Sequence, residues 1–329
     1  MNNIFVLLII LAAGFVALIK GADIFVDGSS SLAKNLKVPS LIIGLTIVAL
    51  GTSAPELAVS TSAAIQKSNE IALSNVIGSN LFNLLVVAGI CAVISPLPVD
   101  RSVVRRDMPF SVVCTILLLV ASCFSVFTGG SNVFANADFS INIGLVSRII
   151  GLVLLIAFIG YIAVLIKTAG KNKDEESEET KRTLRKCILL IIIGIILIVA
   201  GGQAVVYSAK AIARIAGMTE TLIGLTVVAL GTSLPELVTS IVAARKGETE
   251  LAVGNVVGSN IFNLLLILGV SSLVNPVAVN LASLCDMVIL ILVSVLVFIF
   301  MLVSKKITRL QGLLMVVLYI ADVVFAFFR

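Results

Sequence analysis

Two glutamates stand where glutamates are costly. Glu56 lies in GLTIVALGTSAPELAVS (44–60) and Glu236 in GLTVVALGTSLPELVTS (224–240), stretches otherwise apolar enough to enter a bilayer. An ionisable group inside a span costs about 2.5–3.5 kcal/mol on insertion scales, so its presence points to function. Neither motif contains Lys or Arg. A bound cation is the natural counter-charge.

The residues around each glutamate suit that task. Pro55 has no N–H, so the carbonyl of Gly51 loses its helical donor, and Pro235 does the same to Gly231. The helix is expected to kink and leave carbonyl oxygens facing a cavity. Thr52 and Ser53 lie four and three residues before Glu56, on the same side of the kink. A carboxylate, hydroxyls and bare carbonyls are hard oxygen ligands, suited to calcium or sodium rather than zinc or copper.

A second motif follows. Residues 75–83 read NVIGSNLFN and 255–263 read NVVGSNIFN. Ser79 and Asn83 lie one turn apart, as do Ser259 and Asn263, adding hydroxyl and amide oxygens. Asn80 and Asn260 sit one residue off that face, equally suited to packing or to a supporting role. Gly254-x-x-x-Gly258 and Ser74-x-x-x-Gly78 indicate only close helix packing. Glu70 and Glu250 each open a helix, where a carboxylate favours the dipole, and read as structural. Both motifs recur at a constant offset of 180 residues, with more than half of positions 44–83 identical in the second copy.

The elements that must position these groups are membrane helices. The chain has 329 residues, 59% hydrophobic and 12% charged, against about 25% charged in soluble proteins. It has no histidine, which excludes imidazole metal sites and histidine relays. The five cysteines are scattered without paired or metal-ligand spacing and read as packing residues. The N-terminal MNNIFVLLIILAAGFVALIK lacks a basic leader and reads as a first transmembrane helix. At about 20 apolar residues per span, ten are expected, near 4–33, 39–65, 70–94, 106–128, 142–167, 184–214, 220–244, 250–273, 284–304 and 308–328.

Charge in the loops sets an orientation. Alternate loops carry Lys34 and Lys37; Arg101, Arg105 and Arg106; the cluster from Lys167 to Lys186; Arg245 and Lys246; and Lys305, Lys306 and Arg309. The positive-inside rule places these in the cytoplasm and both termini outside. The basic pI therefore reflects loops, not nucleic-acid binding. The hydrophilic KNKDEESEETKRTLRK predicts a flexible cytoplasmic linker. The expected fold is thus an all-α polytopic membrane protein of ten helices in two inverted five-helix repeats: 1–168, a linker at 169–183, and 184–329. Inverted repeats with broken helices are the plan of secondary transporters, with binding near the midplane where the halves meet. Outside the motifs, Lys20 and Asp23 are spaced to pair with each other. Asp322 is read as snorkelling toward the outer face.

GTSxPE followed by GSNxFN, both duplicated, resembles the calcium/cation antiporter superfamily, in its sodium/calcium exchanger branch of prokaryotic type. The resemblance implies cation ligation by Thr52, Ser53, Glu56, Ser79 and Asn83, by Thr232, Ser233, Glu236 and Ser259, and by backbone carbonyls near Ala49 and Ala229. It implies sodium and calcium as transported ions, no cofactor, no enzymatic activity, and the first and sixth spans sliding across the core. Some relatives carry Asp at the position of Asn263, and in the potassium-dependent ones that acid is tied to potassium binding. Asn263 therefore implies potassium independence. The expected function is sodium-for-calcium exchange, outward for calcium, in the cell membrane, with the bilayer as partner and no obligate protein partner. The alternatives are a proton-coupled antiporter, because two glutamates also carry protons, and a passive cation channel.

Overall fold

The computed structural model describes residues 4–67, 69–124, 139–169, 182–217 and 229–328. Its helices are α1 (Ile4–Leu36), α2 (Ser40–Thr52), α3 (Ala54–Ile65), α4 (Ile71–Ile94), α5 (Met108–Ser122), α6 (Arg148–Ala169), α7 (Leu184–Ile215), α8 (Ala229–Thr232), α9 (Leu234–Arg245), α10 (Thr249–Val274), α11 (Leu281–Ser304) and α12 (Arg309–Phe328). Seven helices are long and apolar enough to cross a membrane, or eight if α2 and α3 count as one bent span. The expected ten are not reached among the described residues. α5 is only 15 residues long, and 218–228, inside the expected seventh span, lie outside the described residues. So do 170–181 of the expected linker and 125–138 of the expected outer loop.

The fold is otherwise all-helical, with four short strands joining its loops in pairs. β1 (Leu97–Pro98) pairs antiparallel with β4 (Lys306–Ile307), and β2 (Asn142–Val146) with β3 (Val277–Asn280). β2 also shortens the expected fifth span, whose helix begins only at Arg148. The backbone groups of Asn142–Val146 find partners on β3 instead of along a helix, which satisfies them equally well.

The chain divides into two compact units, 1–55 with 165–259, and 56–164 with 260–329. In the first, α1 and α7 pack backbone to backbone. A Cβ on Gly21 would lie 2.8 Å from Ile198 N, and one on Gly201 2.6 Å from Leu18 N. Small residues permit this approach where lipid offers no hydrophobic drive. α2 crosses α10 in the same way, since a Cβ on Gly254 would sit 2.6 Å from Leu41 O and one on Gly258 2.8 Å from the Ala49 Cβ. The expected packing role of Gly254-x-x-x-Gly258 is what this crossing shows. α9 ends at Gly247, whose φ of +80° lets Glu248 N–H return to Ala243 O at 2.9 Å.

In the second unit, α12 lies against α4 at Gly89 and Gly312, with Phe82 and Tyr319 edge to face at 5.5 Å. Phe158 of α6 meets Phe262 of α10 at 4.9 Å. Asp107, fully buried, accepts from Arg106 at 2.7 and 3.1 Å and from Tyr161 Oη at 3.0 Å.

Candidate functional site

The break in each motif falls on a serine, two residues before the proline. α2 and α3 are bent by 49°, and Ser53 between them has φ −83°, ψ 7°. Ser233 repeats this at φ −91°, ψ 5°. The pyrrolidine ring cannot follow an unbroken helix, so the chain restarts. Each glutamate consequently stands in the first turn of the new helix, α3 or α9, where the dipole favours a negative charge. The Ser233 side chain makes no capping bond to its own helix.

Every candidate ligand with a described side chain is buried. Ala49, Thr52, Ser53, Glu56, Ser79, Asn83, Thr232, Ser233, Glu236, Ser259 and Asn263 are each at most 7% exposed. In the first unit, the Ser53 hydroxyl donates to Glu236 Oε1 at 2.8 Å. Glu236 Oε2 and Thr232 Oγ1 are buried without a hydrogen-bond partner. No Lys or Arg among the described residues forms a salt bridge with Glu236. The Ala49 carbonyl is not bare, because it accepts Ser53 N–H at 3.0 Å and the Thr52 hydroxyl at 3.4 Å. Of Ala229, only its place at the start of α8 is described.

In the second unit, Asn83 and Asn263 lie where α4 and α10 widen into π-helical turns, Asn83–Val87 and Phe262–Ile267. Such turns gather at functional sites because they re-aim side chains and carbonyls. Both amide atoms of Asn83, and Asn263 Oδ1, are buried without hydrogen-bond partners. Buried polar atoms are rarely left so, and an oxygen-seeking cation would satisfy the oxygens. Asn80 and Asn260 clamp the two helices together. Each amide donates to the other's backbone carbonyl, at 3.2 and 3.3 Å, and Asn263 Nδ2 donates to Asn80 Oδ1 at 3.0 Å. That assigns Asn80 to packing and support.

Sequence reasoning missed two residues, Asn75 and Asn255. In the second unit, Asn75 Nδ2 donates to Ser60 Oγ at 2.8 Å and to the Glu56 carbonyl at 3.4 Å. In the first, Asn255 Nδ2 donates to Ser240 Oγ at 2.9 Å and to the Glu236 carbonyl at 3.4 Å. All four side chains stand inside the duplicated stretches, at the same offset as the glutamates. Duplication itself was the available signal. The Lys20–Asp23 expectation is corrected: Asp23 Oδ1 meets Lys246 Nζ at 2.6 Å, because the chain returns Lys246 to α1 at the end of α9.

Among the described residues no group of three or more His, Cys, Asp or Glu could hold a metal. Any cation here must draw on fewer than three such groups, together with neutral oxygens. The sodium/calcium exchanger protein family matches residues 6–167 and 186–328. The chain belongs to that family. It is a membrane-integral transporter, not an enzyme. It is 34% identical to the sodium/calcium exchanger MaX1 of Methanosarcina acetivorans, covering 97% of this chain and 98% of that protein. It is 31% identical to the inner membrane protein YrbG of Escherichia coli K12, covering 87% and 86%. A solved structure of the sodium-calcium exchanger NCX_Mj, soaked without either ion, superposes with a TM-score of 0.82 at 31% identity, covering 99% of this exchanger and 100% of that one.

Proposed function

We propose that this exchanger is a secondary active antiporter that moves sodium against calcium by alternating access, expels calcium, and needs no potassium. One observation carries the reading: Glu236 is buried with a hydroxyl for a partner and, among the described residues, no Lys or Arg in salt-bridge reach. A carboxylate kept from basic side chains is reserved for a mobile cation. The proposal assigns ligation to Thr52, Ser53, Thr232, Ser233, Glu236 and Ser259 and the Ala49 and Ala229 carbonyls in the first unit. In the second it assigns Glu56, Ser79, Asn83 and Asn263. Calcium takes about 6–8 oxygens, and sodium uses subsets of the same set.

The proposed orientation has both termini outside, in the cell membrane, with two inverted five-helix repeats joined by a cytoplasmic linker. The ribbons support it. β1 and β4 belong to loops rich in Lys and Arg, whereas the β2 and β3 segments contain none. Each ribbon therefore joins loops that charge places on the same side. Potassium independence rests on Asn263, an amide where an acid would hold a further cation.

Proteoliposome flux tests the reading. Calcium uptake should follow an outward sodium gradient, respond to an imposed valinomycin potential, and ignore external potassium. If three sodium ions exchange for one calcium, one net charge crosses per cycle, worth about 2.3 kcal/mol per 100 mV. Uptake driven by a proton gradient alone, without sodium, would replace sodium by protons. Flux indifferent to voltage would indicate neutral exchange.

A further inference from the structure

We propose that Asn255 is a positioning residue that sets the geometry of the Thr52–Ser53–Glu236 group. The inference rests on the cation-exchange reading, but Asn255 is outside the set of ligands assigned there.

A primary amide has two N–H donors and one carbonyl acceptor. Asn255 directs all of them inside the first unit. Nδ2 donates to Ser240 Oγ at 2.9 Å and to the Glu236 carbonyl at 3.4 Å, and Oδ1 accepts the Thr52 hydroxyl at 3.0 Å. Asn255 is 1% exposed. It thereby ties α10 to α9 one turn beyond Glu236 and to the last residue of α2. Ser53, the next residue, donates to Glu236 Oε1. The result is a closed ring: Thr52, Asn255, the Glu236 backbone, the Glu236 carboxylate and Ser53.

The ring matters because one of its links is the one a cation would disturb. A cation bound at Glu236 competes with the Ser53 hydroxyl proton for Oε1. The Asn255 links involve a backbone carbonyl and hydroxyls, so they persist while Ser53 turns. With its proton shared between Asn255 Oδ1 at 3.0 Å and, more weakly, the Ala49 carbonyl at 3.4 Å, Thr52 turns an oxygen lone pair toward an ion. The amide thus plays the part that partners behind first ligands play at metal sites generally, fixing orientation before the ion arrives.

Asn75 shares two of the three links. Its Nδ2 reaches Ser60 and the Glu56 carbonyl with nearly identical distances. The third link, from the Thr52 hydroxyl to Asn255 Oδ1, lies wholly within the first unit.

The test measures half-saturation for calcium and sodium in proteoliposomes, with Asn255→Ala, Asn75→Ala, Thr52→Val and the pair Thr52→Val/Asn255→Ala. Asn255→Ala should raise the calcium half-saturation about tenfold or more, the usual effect of losing such a partner. The maximum rate per folded protein should change far less. Asn75→Ala should shift calcium less than Asn255→Ala. The pair should be no worse than its stronger single variant, because both remove one link. An Asn255→Ala variant with half-saturation within twofold of the unsubstituted protein, or a pair whose effects multiply, overturns the proposal. So does a loss confined to protein yield. If the unsubstituted protein carries neither ion, the exchange reading has failed. The same cycle is then read as thermal-melting shifts of the ion-free protein, where non-additive shifts support the ring and additive shifts overturn it.

Discussion

The acids of this chain are held in two ways. Asp23 and Asp27 on α1 share Lys246, each at 2.6 Å, and Arg182 adds a contact to Asp27 at 3.3 Å. Asp107 is buried against Arg106 and Tyr161. These charges are spent on other protein charges. Glu236 is as buried as Asp107, yet its described partner is the Ser53 hydroxyl. A hydroxyl supports a carboxylate without neutralising it. On the proposed reading, the difference separates acids that hold the protein together from acids that keep a charge in reserve, and burial alone would not tell them apart.

That comparison breaks most sharply at the glutamates. Glu236→Gln or Glu56→Gln should abolish calcium transport while leaving folding intact or improved, because the charge is costly to the protein without its ion. Calcium uptake near the unsubstituted level in either variant would remove the distinction. The second test is its mirror image. Asp107→Leu leaves Arg106 without its buried partner and should cost about 3 kcal/mol of stability, read as a lower melting temperature in detergent. Calcium half-saturation of the surviving protein should stay within about threefold, a little under 0.7 kcal/mol by the usual conversion. A large affinity change would move Asp107 into the ion-handling group.

Asn263→Asp sharpens the comparison by adding an acid beside neutral oxygens. Its Oδ1 has no hydrogen-bond partner, and its Nδ2 donation to Asn80 would be lost. A third reserved charge should change the cation selectivity and voltage dependence of flux. Unaltered selectivity and voltage dependence would place Asn263 outside the ion's reach. Lys246→Met should have the smallest effect. Lys246 and its two aspartates are 30–47% exposed, so the network should contribute about 1 kcal/mol or less, fading as salt rises. A loss of several kcal/mol would show the half-exposed cluster to be worth more than its setting suggests.

Much of the site was legible because its chemistry is local. The glutamates, the prolines that restart each helix and the hydroxyls beside them lie within a few residues of one another, and duplication marked them twice. The exact place of the break, on Ser53 and Ser233, was not legible, since a proline constrains the whole preceding turn. Asn75 and Asn255 were in plain view but carried no sign of their partners, which stand 15 residues away for the serines and 203 for Thr52. The Lys20–Asp23 expectation failed for the same reason: helical spacing offered a near partner, and Lys246, far along the chain, took its place.

By itself the sequence determined that this is a membrane protein with two copies of one polar motif, because apolar spans and a repeated 180-residue register are properties of order along the chain. Tertiary structure decided which acids were neutralised, which hydroxyl protons were committed, and that β1 and β2 would find β4 and β3 rather than extend helices. Those outcomes depend on which distant backbone and side-chain groups arrive opposite one another. No local propensity encodes that meeting.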